Sequence, residues 1–343
     1  MTNSQTLTLQ HFTEYMLPAI EKEMQACVRI TKQTGLEELH HMMAYHLGWE
    51  GQGSGLKAQG KRVRPMLVLL TTAAVGGDWE TALPAAAAVE LVHNFSLIHD
   101  DIQDDSPLRR GRETVWKKWQ IPQAINAGDS MFALAHIALH RLEGLVPTET
   151  ALKAQQILPK ACLVLTQGQY LDLSYEDRQD LSVEDYWPMI KGKTASLIAT
   201  CTELGALIAG ADEEKQAAYY KFGEYVGLAF QAYDDILGIW GNADETGKST
   251  DSDLLAGKKS LPVLYGLQQN GDFAKKWNAG NIKVEDVGPL TELLEAEGAY
   301  DYTKEIAEDL TNSSLESLHA LHPEEPAAGA LEELVKRLIT RSA

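Results

Sequence analysis

From Leu83 to Asp104 an apolar helical pattern runs straight into a block of acid. Leu83, Ala87, Leu91 and Phe95 recur every fourth residue, and Ala85 to Ala88 add strong helix formers. The segment then reads Leu97-Ile98-His99-Asp100-Asp101-Ile102-Gln103-Asp104-Asp105, four aspartates within six positions. In a helix Asp100 stands one turn from Asp104, and Asp101 one turn from Asp105, so each pair shares a face. Like charges about 6 Å apart, at an effective dielectric of about 20, repel by roughly 3 kcal/mol. In a cleft such a cluster needs cations between its carboxylates. The arrangement recurs in Phe230-Gln231-Ala232-Tyr233-Asp234-Asp235-Ile236-Leu237, again at the end of a long apolar helix. Carboxylates without His or Cys neighbours select hard cations. Mg²⁺ held by few carboxylates shares its other positions with water and phosphate oxygens.

The cations of the chain gather beside these acids. Gly60-Lys61-Arg62-Val63-Arg64-Pro65 opens a helix after a Gly-rich loop and brings three cations together. Leu108-Arg109-Arg110-Gly111-Arg112 follows directly on the first aspartate cluster; Lys191-Gly192-Lys193-Thr194, Gly247-Lys248 and Gly257-Lys258-Lys259 supply the rest. The formal net charge is −19, and residues 285–343 carry 14 acidic against 4 basic side chains. So acidic a surface repels DNA and anionic lipid, which excludes broad nucleic-acid binding. An anionic substrate must then be received by a local basic pocket, bridged by metal on one side and held by Arg or Lys on the other.

Helical periodicity covers most of the chain and strict two-residue alternation is hard to find, which predicts ten to twelve helices and no sheet worth naming. Asn242 to Lys259 reads as a polar loop of functional length. No Ser- or Pro-rich linker and no fixed-period repeat interrupts the pattern, so one all-helical domain over residues 1–343 is expected. Cys27, Cys162 and Cys201 are scattered and read as buried small hydrophobes in a reducing compartment. The N-terminus shows no secretory signal, and the longest nearly uncharged stretch, Ala195 to Ala211, is too short to span a bilayer. A cytoplasmic protein without a stable membrane anchor is the expectation.

The ordered series Gly-Lys-Arg-Val-Arg-Pro, His93, Asp-Asp-Ile-Gln-Asp, Leu-Arg-Arg-Gly, Gly168-Gln169, Lys193-Thr194, Phe230-Gln231, Asp234-Asp235, Gly247-Lys248, Asp253 and Lys258 resembles the trans-isoprenyl diphosphate synthases. These polyprenyl synthetases condense isopentenyl diphosphate with an allylic diphosphate. The resemblance implies an all-α bundle around a deep central cavity, usually a homodimer. It implies that Asp100, Asp101, Asp104, Asp234 and Asp235 hold Mg²⁺ (three ions in the family) on the allylic diphosphate. Arg109, Lys193, Lys248 and Lys258 would contact that diphosphate. Lys61, Arg64, His93 and Arg110 would bind isopentenyl diphosphate, and Thr194 and Gln231 would lie beside the developing allylic cation. One place departs from many relatives: Gly238 stands where they carry a third aspartate, and Asp253 is expected to help through water.

Product length should follow from how far the hydrocarbon tail can run below the metals. Phe95, five positions before Asp100, lies about 7.5 Å further along the helix axis and is a candidate floor. In the family an aromatic here beside a small residue, Ser96, resembles geranylgeranyl (C20) synthases; farnesyl (C15) and longer-chain synthases are the alternatives. The double bond of isopentenyl diphosphate is itself the nucleophile, which agrees with the absence of any Ser/His/Asp arrangement. A class I terpene cyclase would leave Lys61, Arg64 and His93 idle, and a non-catalytic partner subunit has only Gly238 in its favour. A ferritin-like metal store would need Glu-x-x-His ligands; His40, His41 and His46 do not form such a set and read as helix-face residues.

Overall fold

The computed structural model describes residues 8–176, 178–241, 252–280 and 282–340. The order is α1 (Leu9–Val28), α2 (Glu37–His46), α3 (Leu56–Gln59), α4 (Val63–Ala74), α5 (Leu83–Gln103), β1 (Leu108–Arg109), β2 (Arg112–Glu113), α6 (Val115–Trp119), α7 (Ile121–His140), α8 (Thr148–Tyr175), α9 (Val183–Ile190), α10 (Ser196–Ile208) and α11 (Glu213–Trp240). Shorter helices follow at Ser252–Leu255, Leu261–Gln268 and Asp272–Asn278, then longer ones at Val284–Ala296, Ala299–Ala320 and Ala327–Thr340. The fold is all-α, as expected; the one sheet among the described residues is the two-stranded β1–β2 hairpin. Helices outnumber the expectation, in part because Gly-rich and polar stretches read as loops contain single helical turns, Leu56–Gln59 and Ser252–Leu255.

The chain divides into two compact units. The first comprises Met1–Lys160, Thr200–Tyr220 and Leu321–Leu334. Its centre is α5, which Pro84 starts, where the missing N–H is no loss. The Ala85–Ala88 run, Val89, Leu91 and Val92 are fully buried, and α5 packs chiefly on α7, then on α4 and α1. By length and hydropathy Trp79–Gln103 could cross a membrane, but 72% of its apolar window is buried inside the protein. The helix long and apolar enough to span a bilayer is therefore this core helix and not Ala195–Ala211.

The second unit comprises Ala161–Ala199, Lys221–Ala320 and Val335–Ala343. One core cluster joins Val183, Tyr186 and Ile190 of α9 to Ala232 of α11, Leu261 and Leu264. Another gathers Phe273, Trp277, Leu290 and Leu294.

Candidate active site

In the first unit α5 carries its acidic end out of the core. The helix stops at Gln103, Asp104 caps it, and Asp105 takes a left-handed φ of 47°. Asp105 thus leaves the helical path, and the expected stacking of Asp101 with Asp105 is lost. Asp101 is buried. Its Oδ1 accepts from Arg109 Nε at 2.8 Å, while its Oδ2 is buried with no hydrogen-bond partner among the described residues. Burial pushes the Asp101 carboxyl up to about 6, against the pull of Arg109. A desolvated carboxylate oxygen without a donor is costly, and a divalent cation would relieve it. Among the described residues no three His, Cys, Asp or Glu side chains form a ready-made cage. A cation held by these aspartates would draw its other ligands from water and phosphate, as Mg²⁺ does.

The β-hairpin sets the arginines beside this carboxylate. Leu108 pairs with Glu113 and Arg109 with Arg112, leaving Arg110 (φ 52°) and Gly111 (φ 73°) as the two-residue turn, the left-handed pair a tight hairpin requires. Arg110 donates to the Ala58 carbonyl at 2.8 Å, and its guanidinium lies where a Cβ on Gly60 would stand. Gly60 also has φ 81°, so glycine is required there twice over. Arg64 has a buried Nε with no partner among the described residues. The His93 ring is held well below its usual range by burial, then by Arg64, Arg110 and Arg109. Arg64, His93, Arg109 and Arg110 are thus brought into one electropositive neighbourhood. A small cleft opens here, lined by His46, Ala58, Arg109 and Arg110 among others. Lys61, two residues before α4, is exposed.

Two residues depart from the sequence reading. Arg62 does not join the cleft cations: its guanidinium bonds Glu21 at 2.6 Å, Glu90 at 2.8 Å and the Leu47 carbonyl at 3.2 Å. His46, read as a helix-face residue, lines the cleft instead.

In the second unit a π-turn at Lys191–Ala195 precedes α10. Gly168 of α8 packs directly on its backbone, where any side chain would collide with Gly192 and Lys193. One turn further on, Asp172 pairs with Lys193. Thr194 Oγ1 donates to Gln231 Oε1 at 2.8 Å, and Gln231 Nε2 donates to Asp235 Oδ1 at 2.9 Å. Asp235 Oδ2 accepts from Tyr186 Oη at 2.8 Å and from the Leu261 amide at 2.9 Å. Burial pushes the Asp235 carboxyl up to about 7 despite these three donors. Expected as a metal ligand, Asp235 has both oxygens engaged by the protein, whereas Asp234 beside it is half-buried. Tyr186 and Asp172 carry no motif signature, and only their tertiary partners reveal them. Lys248 lies outside the described residues.

Gly238 has a structural explanation. A Cβ at this position would run into the Asp253 carboxylate, and Asp253 in turn holds Lys258 at 3.2 Å. The carboxylate missing from α11 is replaced by one arriving from the Ser252–Leu255 helix. Gly238→Asp, which restores the common motif, is therefore expected to displace Asp253 and lower kcat/KM by roughly 10²-fold. A steady-state assay in which the variant equals or exceeds the wild type would contradict this substitution of one carboxylate for another.

On α5 Ser96 is buried and bonds the His93 carbonyl at 2.9 Å. Phe95 meets Phe132 of α7 with ring centroids 5.1 Å apart. Phe95 is thus joined by an aromatic from a different helix, so no local pattern announces the pair.

A buried carboxylate that wants a cation, beside guanidinium groups that want an anion, is the working surface of an enzyme that transfers a group from a diphosphate. Residues 53–295 match the model of the polyprenyl synthetase family. The chain is 39% identical over 289 residues to a geranylgeranyl diphosphate synthase of Mycobacterium tuberculosis, covering 82% of each chain. It is 36% identical over 313 residues to a (2E,6E)-farnesyl diphosphate synthase of Mycobacterium bovis, covering 88% of this chain and 86% of that one. The crystal structure of a geranylgeranyl pyrophosphate synthetase from Pyrococcus horikoshii superimposes with a TM-score of 0.87 at 32% identity, covering 97% of this chain and 98% of that one. The chain belongs to the polyprenyl synthetase family. It is a trans-prenyltransferase, of a family that generally uses Mg²⁺.

Proposed function

We propose that this chain is a geranylgeranyl diphosphate synthase, joining isopentenyl diphosphate to allylic diphosphates until a C20 product is released. The reading is carried by the buried Asp101 oxygen that lacks a donor among the described residues and sits beside Arg109. Asp100, Asp101 and Asp104, and Asp234 with Asp235 behind it, are the residues that would hold Mg²⁺. When bound, the metal neutralises charge growing on the departing diphosphate. Arg109, Lys193, Lys248 and Lys258 grip the allylic diphosphate, Lys193 exchanging Asp172 for a phosphate oxygen. Lys61, Arg64, His93 and Arg110 hold isopentenyl diphosphate, so that its double bond can attack the allylic carbon. Thr194 turns the Gln231 carbonyl dipole to the developing cation. Apolar walls exclude water, which would otherwise yield an alcohol. The proton lost on forming the new double bond passes to the released diphosphate.

Phe95, buttressed by Phe132, supports a floor at C20. Incubation with dimethylallyl, geranyl or farnesyl diphosphate and labelled isopentenyl diphosphate, followed by chromatography, is expected to end at C20 from each primer. Termination at C15 or beyond C20 overturns the chain length, and no elongation overturns the reaction. Phe95→Ala is expected to lengthen the product by at least one isoprene unit; an unchanged product would reject Phe95 as the floor.

The enzyme is further read as one catalytic domain working as a cytosolic homodimer. Free, buried Cys27, Cys162 and Cys201 support a reducing compartment. Ile121, Ile125 and Ile137, exposed along α7, support a partner surface.

A further inference from the structure

We infer that His46 is an additional diphosphate-binding residue of the isopentenyl diphosphate site, donating a hydrogen bond from Nε2 to a phosphate oxygen. This deepens the proposed reaction and rests on it. Three observations carry the inference. His46 ends α2 and lines the same cleft as Arg109 and Arg110. Its Nε2 is buried and has no hydrogen-bond partner among the described residues. The same is true of Arg64 Nε, so two buried nitrogens in this neighbourhood await an acceptor that the described residues do not supply.

The chemistry of the acceptor follows from the surroundings. Burial first, then Arg109, Arg110, Arg62 and Arg112, hold the His46 ring well below its usual range. The imidazole is therefore neutral, with one N–H to give and no charge to repel the neighbouring guanidinium groups. A phosphate oxygen satisfies Nε2–H and is drawn by the arginines at once. Of the two substrates, isopentenyl diphosphate is the one assigned to His93, Arg64 and Arg110, and His93 is electrostatically coupled to His46 as well as to these arginines. A bare cation cluster needs no metal to bind its anion, which separates this site from the aspartates.

The test measures isopentenyl diphosphate and inorganic pyrophosphate binding to the full chain by calorimetry in the presence of a chelator. KM for each substrate is measured separately with Mg²⁺. His46→Leu, which keeps the volume and removes the donor, is expected to weaken isopentenyl diphosphate binding roughly tenfold and to raise its KM similarly. The KM of the allylic substrate should move less than about twofold. His46→Gln, which restores an N–H, should recover most of the loss. Wild-type binding and KM in His46→Leu overturn the role of His46 while leaving the reaction intact. A His46→Gln variant as weak as His46→Leu reduces the residue to packing and overturns the donor assignment. A change confined to the allylic KM overturns the choice of substrate. A wild-type chain that neither binds isopentenyl diphosphate nor elongates a primer defeats the proposed function itself.

Discussion

Asp235→Ala is expected to abolish turnover and also to weaken the fold, whereas its neighbour Asp234→Ala should abolish turnover alone. The difference lies in what each carboxylate touches. Asp235 receives the Tyr186 hydroxyl, the Gln231 amide and the Leu261 N–H, and its loss strands three donors on buried or half-buried groups. Stranding them should cost about 3 kcal/mol. It also frees Gln231, so the Thr194–Gln231 pair loses its aim. Asp234 is half-buried, and in the role proposed for it acts on the diphosphate through a cation, so its removal should lower kcat by on the order of 10³-fold with the urea midpoint unchanged. A second signature separates the two. Burial raises the Asp235 carboxyl from an ordinary 3.8 to about 7, so the native chain keeps a proton that the unfolded chain gives up. Its contribution to stability is full below about pH 4 and declines as pH rises to about 7. Asp235→Asn should remove that slope from the metal-free protein. Equal urea midpoints for Asp234→Ala and Asp235→Ala, at pH 5 and again at pH 7, would refute the division of labour.

These two aspartates mark how far local pattern reaches. Adjacent acids at the end of a periodic apolar helix are conspicuous because they break a rule that the helix otherwise obeys, and α5 and α11 could be placed from that contrast. The same holds for the arginines after the first cluster. Within α5 the burial of Glu90 was not legible, because only its partners Arg62 and Asn94 explain how that charge is kept inside. His46 and Arg62 show the limit from opposite sides. His46 follows two other histidines on a short helix, so its spacing says nothing about the cleft it lines. Arg62 sits between two cations of the same motif, yet its partners Glu21 and Glu90 are 41 and 28 residues away. Asp172, Tyr186 and Phe132 are equally silent in sequence, each defined by a neighbour on another element. Residue type predicted which chemistry the chain performs; tertiary pairing decided which residues perform it and which hold the others still.

Arg62 carries the second large expectation. It occupies a left-handed backbone position, φ 48°, immediately before α4 and between Lys61 and Arg64. A non-glycine residue persists there only if its surroundings hold it, and here Glu21, Glu90 and the Leu47 carbonyl do so. Glu90 is buried and also receives the Asn94 amide at 2.9 Å. Arg62→Met leaves Glu90 buried without its countercharge and is expected to cost about 3–5 kcal/mol. Arg62→Gly distinguishes charge from backbone: it relieves the left-handed strain but leaves Glu90 equally stranded, so it should be destabilised nearly as much. Adding Glu90→Leu to Arg62→Met removes the orphaned carboxylate and should recover more than about 1 kcal/mol, a coupling that unconnected sites would not show. Because the same turn presents Lys61 and Arg64, the stabilised double variant should still have a raised KM for isopentenyl diphosphate. Urea midpoints of the single and double variants decide the matter. Additive losses, or a wild-type midpoint for Arg62→Met, would return Arg62 to the cleft as a third substrate cation. A buried ion pair that fixes a turn, and through it the two cations proposed to bind isopentenyl diphosphate, predicts coupled stability and affinity.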